Sequence, residues 1–164
     1  YVQMMDEAAA QDTDVLMLPH LVGSGTPELC PDDTGVLHGL RLSTARGEIV
    51  RAALEGLSFD LRRNLDILER CGLTADHIVV SGGGAKNQKA LQIRSNALGR
   101  ALYVPEDVQA GTRGVYLIAA RSLGWIDSYE ASAQFPVRTI TPAGDLLGKY
   151  QRFCQLLRLM QSLR

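Results

Sequence analysis

The sequence predicts a single α/β domain in which helices pack against a sheet that contains parallel strands. Three observations support this prediction. Residues 77–105 read as a strand, a glycine-rich turn, a helix and a second strand, which is the order of a βαβ unit. Residues 44–70 repeat apolar side chains at helical spacing, and 46% of the 164 residues are apolar. A chain of this length and composition can bury a core without disulfides or metals.

The first 42 residues predict a helix, a strand and a long loop. Residues 1–11 are typical of a helix, and the apolar run at 14–19, which ends at Pro19, is typical of a buried strand. Prolines and glycines then interrupt the chain up to Leu42, so no periodic element is expected there. Long loops inside compact domains are more often functional or interface-forming than idle.

A long amphipathic helix is predicted next, with Thr44 as its N-cap and Gly72 at its end. Apolar residues recur every three or four positions and are expected to face the core: Val50, Leu54, Leu57, Leu61, Leu65 and Leu68. Opposite charges four residues apart predict a solvated face on the other side: Arg51 with Glu55, and Arg62 with Asp66.

The rest of the chain predicts the βαβ unit and three further helices. Strands are expected at 77–81 and 101–105, helices at 85–99, 114–125 and 128–135, an extended segment at 137–141, and a terminal helix after it. The helix at 85–99 is expected to bury Ala90, Ile93, Ala97 and Leu98. The terminal helix has one apolar face, formed by Leu146, Tyr150, Phe153, Leu157 and Met160.

Charge, hydropathy and cysteine spacing exclude several functions. Seventeen basic and eighteen acidic residues give a net charge of −1, so no positive field attracts nucleic acid or an anionic membrane. No apolar run is long enough to span a bilayer. Cys30, Cys71 and Cys154 lack the spacing of a zinc or redox motif. They indicate reduced thiols, which favours a cytoplasmic protein.

The glycine-rich turn Gly82–Gly84 is the strongest functional signal. Glycines at the start of a helix let the phosphate or sugar of a nucleotide approach free N–H groups, and Asn87 offers an amide for a base. A Walker phosphate loop is excluded because Asn87, not Ser or Thr, follows Lys86.

Two other interpretations of this turn remain open. A dinucleotide-binding turn is half satisfied: Gly82 and Gly84 have the required spacing and Glu106 and Asp107 lie where an acid would hold the ribose, but Asn87 replaces the third glycine. The glycines are also compatible with a plain tight turn.

The chain resembles the C-terminal part of the FGGY carbohydrate kinases, which belong to the actin-like ATPase superfamily. Four segments carry this resemblance in the family's order: residues 18–40, 44–68, 78–93 and 109–120. The resemblance implies a ribonuclease-H-like domain with a mixed sheet and packed helices. It also implies an enzyme that transfers the γ-phosphoryl group of MgATP to a hydroxyl of a sugar or polyol. The alternative is a non-catalytic domain that keeps the kinase fold and binds no nucleotide, and the intact glycine motif argues against it. In such kinases the glycines lie against the nucleotide and the asparagine contacts the adenine, which implies these roles for Gly82, Gly83, Gly84 and Asn87.

The resemblance implies that the catalytic aspartate, the sugar-binding residues and the carboxylates that hold magnesium precede this region. No catalytic residue and no metal ligand is therefore expected in this chain. Residues 1–164 are expected to form a partial nucleotide-binding domain without the N-terminal sugar-binding domain, inactive alone and prone to self-association through exposed apolar surface. Arg113 and Tyr116 are larger than the residues usual in the family's last motif.

Side chains outside the glycine turn receive structural interpretations. Lys86 is expected to be a solvated helix lysine. Loop or solvated-face positions account for the carboxylates Asp32, Asp33, Asp60 and Asp66. His20 and His38 bracket the long loop, and a histidine pair without a third ligand is more typical of structure than of a metal site.

Overall fold

The computed structural model describes residues 2–106, 109–132 and 136–163. Helices alternate with short strands along the chain. In order, the elements are α1 (Val2–Ala10), β1 (Leu16–Leu18), β2 (Val36–His38), α2 (Arg46–Arg70), β3 (Ile78–Val79), a 3-10 turn (Gly83–Ala85), α3 (Gln88–Leu98), β4 (Leu102–Pro105), α4 (Ala110–Ser122), α5 (Tyr129–Ser132), β5 (Val137–Ile140) and α6 (Leu147–Ser162).

The described residues form two small sheets. Strands β1 and β2 form an antiparallel pair in which Leu16 lies opposite His38. The second sheet has the order β3-β4-β5. Strand β3 runs parallel to β4, whereas β5 runs antiparallel to β4, with Leu102 opposite Ile140. The parallel pair confirms the predicted βαβ unit, and β5 makes the sheet mixed.

Helix α2 begins one residue later than predicted. Ala45, not Thr44, is its N-cap, and the Glu48 carboxylate accepts a hydrogen bond from the Ala45 N–H at 2.8 Å. Thr44 instead stabilises the preceding turn, because its hydroxyl oxygen accepts the Arg41 N–H at 2.8 Å. Gly72 follows the helix with a φ of +81°, as expected for a residue that ends a helix in the left-handed region.

The predicted buried face of α2 is partly wrong. Leu57, Leu61 and Leu68 are 54%, 45% and 44% exposed. The buried residues are mostly smaller ones on an adjacent face: Gly47, Ala52, Leu54, Glu55, Gly56, Ser58 and Phe59. A Cβ on Gly56 would clash with the Met17 carbonyl oxygen, because the backbones of α2 and β1 are in contact there. This close contact requires small residues on the face of α2 that is buried.

The predicted solvated face of α2 is also wrong. Glu55 is 1% exposed, and its carboxylate accepts hydrogen bonds from Arg51 and from Lys149 of α6. The Lys149 ammonium group also donates to the Thr13 carbonyl oxygen. A buried ion pair between Glu55 and Lys149 therefore joins α2 to α6. Each charge needs the other, because a lone buried charge is costly.

The other predicted pair on that face contacts Tyr150 of α6. The Arg62 guanidinium lies 4.5 Å from the centroid of the Tyr150 ring and donates to the Ala97 carbonyl oxygen at 3.1 Å. The Tyr150 hydroxyl donates to the Asp66 carboxylate. Packing of α6 against this face, which the local sequence of α2 does not encode, explains both contacts.

Three groups of buried side chains form the core. The largest packs β1 and α2 against α6 around Phe59 and Phe153, whose ring centroids are 5.4 Å apart. In α6, Tyr150, Phe153 and Leu157 are buried and Leu146 and Met160 are partly buried, which confirms the predicted face. A second group lies between α3 and the mixed sheet, and a third joins α1, α2 and α3.

Helix α4 spans Ala110–Ser122, four residues earlier at its start than predicted. Ala120 is its buried residue, whereas Val115, Tyr116 and Ile118 are more than half exposed. Across the parts of the chain that the structure describes, no helix combines the length and the apolar character needed to cross a membrane.

Candidate nucleotide-binding site

The glycine turn connects β3 to α3 at one end of the mixed sheet. Gly82 has a φ of +79° and a ψ of −165°, a backbone conformation that L side chains rarely adopt. A Cβ added to Gly82 or Gly83 would meet no atom within 4 Å. The turn therefore needs glycine at position 82 for conformation, and it presents bare backbone to open space at both positions.

Hydrogen bonds hold this turn in place. The Ala85 N–H donates to the Gly82 carbonyl oxygen at 3.1 Å, and the Lys86 N–H donates to the Gly83 carbonyl oxygen at 3.3 Å. Ala85 is fully buried against the sheet. Arg138 on β5 donates from Nη2 to the Ala85 carbonyl oxygen at 3.1 Å, so the antiparallel strand also supports the turn.

Asn87 is the N-cap of α3. Its backbone is extended, and its side-chain oxygen accepts the Ala90 N–H at 2.9 Å. Helix α3 therefore begins at Gln88 rather than at residue 85, because the capping geometry at Asn87 separates it from the 3-10 turn. The cap fixes the amide plane, and no described residue accepts a hydrogen bond from the Asn87 Nδ2 group.

The Arg94 side chain lies against Gly84. A Cβ on Gly84 would lie 3.1 Å from its Nη1 atom. Sequence reasoning missed both Arg94 and Arg138. Arg94 follows Asn87 by seven residues, or two helical turns, and this spacing could have revealed it. The contact of Arg138 depends on the pairing of β5, which no local pattern encodes.

Among the described residues, the side chains of Lys86 and Glu106 take no part in the hydrogen bonding of the turn. Lys86 is exposed. Glu106 is exposed and donates its backbone N–H to the Pro136 carbonyl oxygen at 3.0 Å. Asp107 lies outside the described residues.

The prediction that Asp33 and Asp60 are plain loop or solvated carboxylates is wrong, because both have side-chain partners. Nε2 of His20, which is 4% exposed, lies 2.9 Å from the Asp60 carboxylate, and its Nδ1 lies 3.8 Å from Asp33. Arg63 also pairs with Asp60 at 3.2 Å, and the Ser24 hydroxyl donates to Asp33. These contacts tie the long loop to α2. His38 and Asp32 are exposed.

The Asp66 carboxylate, another predicted solvated group, lies at a half-buried site between α2 and α6. Burial, and then the hydrogen bond to Asp66, raise the pKa of the Tyr150 hydroxyl far above its ordinary value. Burial likewise raises the pKa of the neighbouring Cys154 thiol. Within the described ranges, no cluster of three or more His, Cys, Asp or Glu side chains is arranged to hold a metal ion.

Comparison with known proteins identifies the family. The sequence model of the C-terminal domain of the FGGY family of carbohydrate kinases matches residues 2–123. The chain belongs to the FGGY family of carbohydrate kinases. A xylulose kinase of Bacillus subtilis (strain 168) is 29% identical over 147 residues, which cover 88% of this chain and 30% of the relative. A glycerol kinase of Alkalilimnicola ehrlichii is 31% identical over 129 residues, covering 78% of this chain and 26% of the relative.

Solved kinase structures share the fold. A xylulose kinase from Brucella ovis superposes with a TM-score of 0.84 at 25% identity, over 99% of this FGGY chain and 36% of that protein. A Plasmodium falciparum glycerol kinase solved with ADP gives a TM-score of 0.78 at 20% identity. This match covers 98% of this chain and 33% of that protein. These comparisons confirm the predicted family and the actin-like ATPase fold. The chain spans between about a quarter and about a third of the length of these relatives.

Proposed function

We propose that this chain forms the adenine-nucleotide-binding part of a kinase that uses ATP to phosphorylate a hydroxyl group of a sugar or polyol. One observation carries the proposal: the bare backbone of Gly82 and Gly83 leads directly into the Asn87 cap of α3. Family membership supports the reaction class, since the relatives include proteins named xylulose kinase, glycerol kinase and L-fuculokinase.

The turn suits a nucleotide for two physical reasons. The absence of Cβ atoms at Gly82 and Gly83 lets a ribose or phosphate reach van der Waals contact with the backbone. The N-terminus of α3 presents unpaired N–H groups and the positive end of the helix dipole. We assign the base contact to Asn87, whose Oδ1 is held by the Ala90 N–H while Nδ2 stays available to donate to a ring nitrogen.

The residues near the turn do not fit a magnesium site, because no described carboxylate cluster accompanies the glycines. Phosphoryl transfer depends on positioning and on charge stabilisation from several sides of a cleft. We therefore assign magnesium binding, the catalytic base and the sugar-binding residues to parts of the kinase outside these 164 residues. The isolated chain should release no ADP in a coupled assay with pentoses, hexoses or polyols, and robust turnover would refute this assignment.

We place the kinase in the cytoplasm. Cys71 and Cys154 are free thiols, a state that reducing compartments maintain. Fractionation of cells that express the protein tests this placement, and recovery of the protein outside the cytoplasm would contradict it.

Nucleotide binding is tested by titrating the ¹⁵N-labelled chain with ATP, ADP and NAD. The amide signals of residues 81–88 should shift with both adenine nucleotides. A response to NAD without a response to ATP or ADP would instead favour a dinucleotide-binding domain, the alternative left open by Glu106. Unchanged spectra with all three ligands would refute the proposal.

A further inference from the structure

Arg94 occupies the rim of the glycine turn. Its Nη1, Nη2 and Cζ atoms lie 3.1, 3.8 and 3.9 Å from the position that a Cβ of Gly84 would take. The whole guanidinium group, rather than one atom, therefore lies beside Gly84. A side chain at position 84 would force Arg94 to move, so the third glycine of the turn makes room for this arginine.

Among the described residues, none forms a hydrogen bond or ion pair with the Arg94 guanidinium. Two nearby basic side chains are engaged: Lys89 pairs with Asp6 at 2.9 Å, and Arg138 donates to the Ala85 carbonyl oxygen. Across the described ranges, Arg94 itself donates no side-chain hydrogen bond and forms no ion pair, although it is half-buried. A half-buried cation without a partner, beside an open backbone surface, is suited to contact a ligand.

The position of Arg94 on α3 indicates which part of a ligand it meets. Arg94 lies about two turns into the helix that Asn87 caps, seven residues beyond it. Long side chains on a helix lean toward its N-terminus, and Arg94 does so to reach Gly84. Its guanidinium consequently lies beside the third glycine, toward the N-terminal end of α3 that Asn87 caps.

We propose that Arg94 is a nucleotide-contacting residue whose guanidinium packs against the adenine ring of the bound nucleotide. The inference rests on the proposed function and adds a residue to that site. A planar, weakly hydrated guanidinium stacks on aromatic rings, which an ammonium group does less well. Asn87 recognises the edge of the adenine base by hydrogen bonding, and Arg94 packs against the face of the same base.

The test compares adenosine with ADP as ligands of the 164-residue chain. Dissociation constants are measured by NMR titration for the native chain and for Arg94→Gln, Arg94→Lys and Lys89→Gln. Loss of the stacking contact should weaken both ligands by the same factor, roughly 2- to 25-fold, in Arg94→Gln. Arg94→Lys should show most of this loss of affinity, because lysine keeps the positive charge but lacks the planar guanidinium group. Lys89→Gln, on the same helix, should bind as the native chain does.

A direct signal accompanies the affinity change. The Arg94 Nε–H resonance should shift upfield when adenosine binds, because the proton would lie over an aromatic ring. Thermal unfolding of each variant shows that the fold is retained.

Three results would overturn the inference. Unchanged affinity in Arg94→Gln would exclude any contact. A loss confined to ADP would assign Arg94 to a phosphate, and full affinity in Arg94→Lys would show that only charge matters. If the native chain bound neither ligand, the proposed function would fail and this inference with it, whereas native binding with an unaffected Arg94→Gln refutes the inference alone.

Discussion

The side-chain oxygen of Asn87 accepts the backbone N–H of Ala90 at 2.9 Å, and this one hydrogen bond gives the residue two separable roles. The oxygen caps α3 and stabilises the fold. The amide nitrogen of the same group is the proposed donor to the base. Substitutions that keep the cap and remove the amide donor can therefore separate an effect on stability from an effect on nucleotide binding.

Asn87→Asp and Asn87→Ser should retain the cap but weaken adenine-nucleotide binding, since neither side chain offers the amide donor. Asn87→Ala should lose both and should lower the free energy of unfolding by about 1 kcal/mol. Urea unfolding and nucleotide titration of the three variants provide the measurements. Native-like affinity in Asn87→Ser would exclude the amide as a ligand contact.

Gly82→Ala and Gly83→Ala form a matched pair with opposite expectations. Gly82 has a φ of +79° and a ψ of −165°, a region almost confined to glycine, so alanine there should cost about 1–3 kcal/mol of unfolding free energy. Gly83 does not adopt a positive φ, and the space beside it is open. Alanine there should therefore leave the free energy of unfolding nearly unchanged. The new methyl group should nevertheless reduce ATP binding, because it occupies the surface assigned to the nucleotide. Equal binding by Gly83→Ala and the native chain would contradict that assignment.

Glu55→Gln should destabilise the chain by roughly 3–5 kcal/mol, because it leaves the buried Lys149 ammonium without its counter-charge. Replacing Glu55 and Lys149 with methionine should cost less than this single change, since Arg51 keeps its ion pair with Asp12 at 3.0 Å and no buried charge is left unpaired. Lys89→Ala is the control, and the loss of its exposed pair with Asp6 should cost under about 1 kcal/mol. Denaturant unfolding near pH 7 measures all three. A Glu55→Gln variant as stable as the control would show that the buried pair is unimportant.

Alkaline pH should destabilise the chain through Tyr150. The folded state raises the pKa of this hydroxyl above its unfolded value near 10. Above pH 10 the unfolded chain therefore releases a proton that the folded chain keeps, and stability falls by up to about 1.4 kcal/mol per pH unit. Unfolding free energies from pH 8 to 11 should show this slope in the native chain and a shallower one in Tyr150→Phe. Identical slopes would remove Tyr150 as the cause.

The exposed apolar face of α4 should promote self-association at high concentration. Val115, Tyr116 and Ile118 are 70%, 57% and 61% exposed on this helix. Sedimentation velocity should detect oligomers of the native chain, and Val115→Asp combined with Ile118→Asp should reduce them. A monomer at all concentrations would contradict this expectation.

The parts of the fold that follow from local sequence were predicted well. The βαβ unit and the packed face of α6 depend on periodicity and on glycine punctuation, which neighbouring residues determine. Errors arose where distant segments decide the outcome. The buried face of α2 was misplaced because Gly56 meets the backbone of β1, and Glu55 was placed in solvent because its partner Lys149 lies 94 positions away.

The candidate site shows the same division. The order of residues along the chain predicts nucleotide contacts at the glycines and Asn87, and that assignment stays a prediction. The capping role of Asn87 was missed, because the 3-10 turn displaces the start of α3 by three residues. Arg94 and Arg138 were missed because their contacts with the turn arise only when the helix and β5 fold back onto it.

The hydrogen bond from Arg138 to the Ala85 carbonyl oxygen has a practical consequence for expression of this region. The family match ends at residue 123, yet the guanidinium that supports the glycine turn, and Lys149 that neutralises Glu55, both follow that point. A recombinant fragment trimmed to residues 2–123 would remove β5 and α6 together. Such a fragment would retain every residue of the adenosine motif while losing the supports that give the motif its shape.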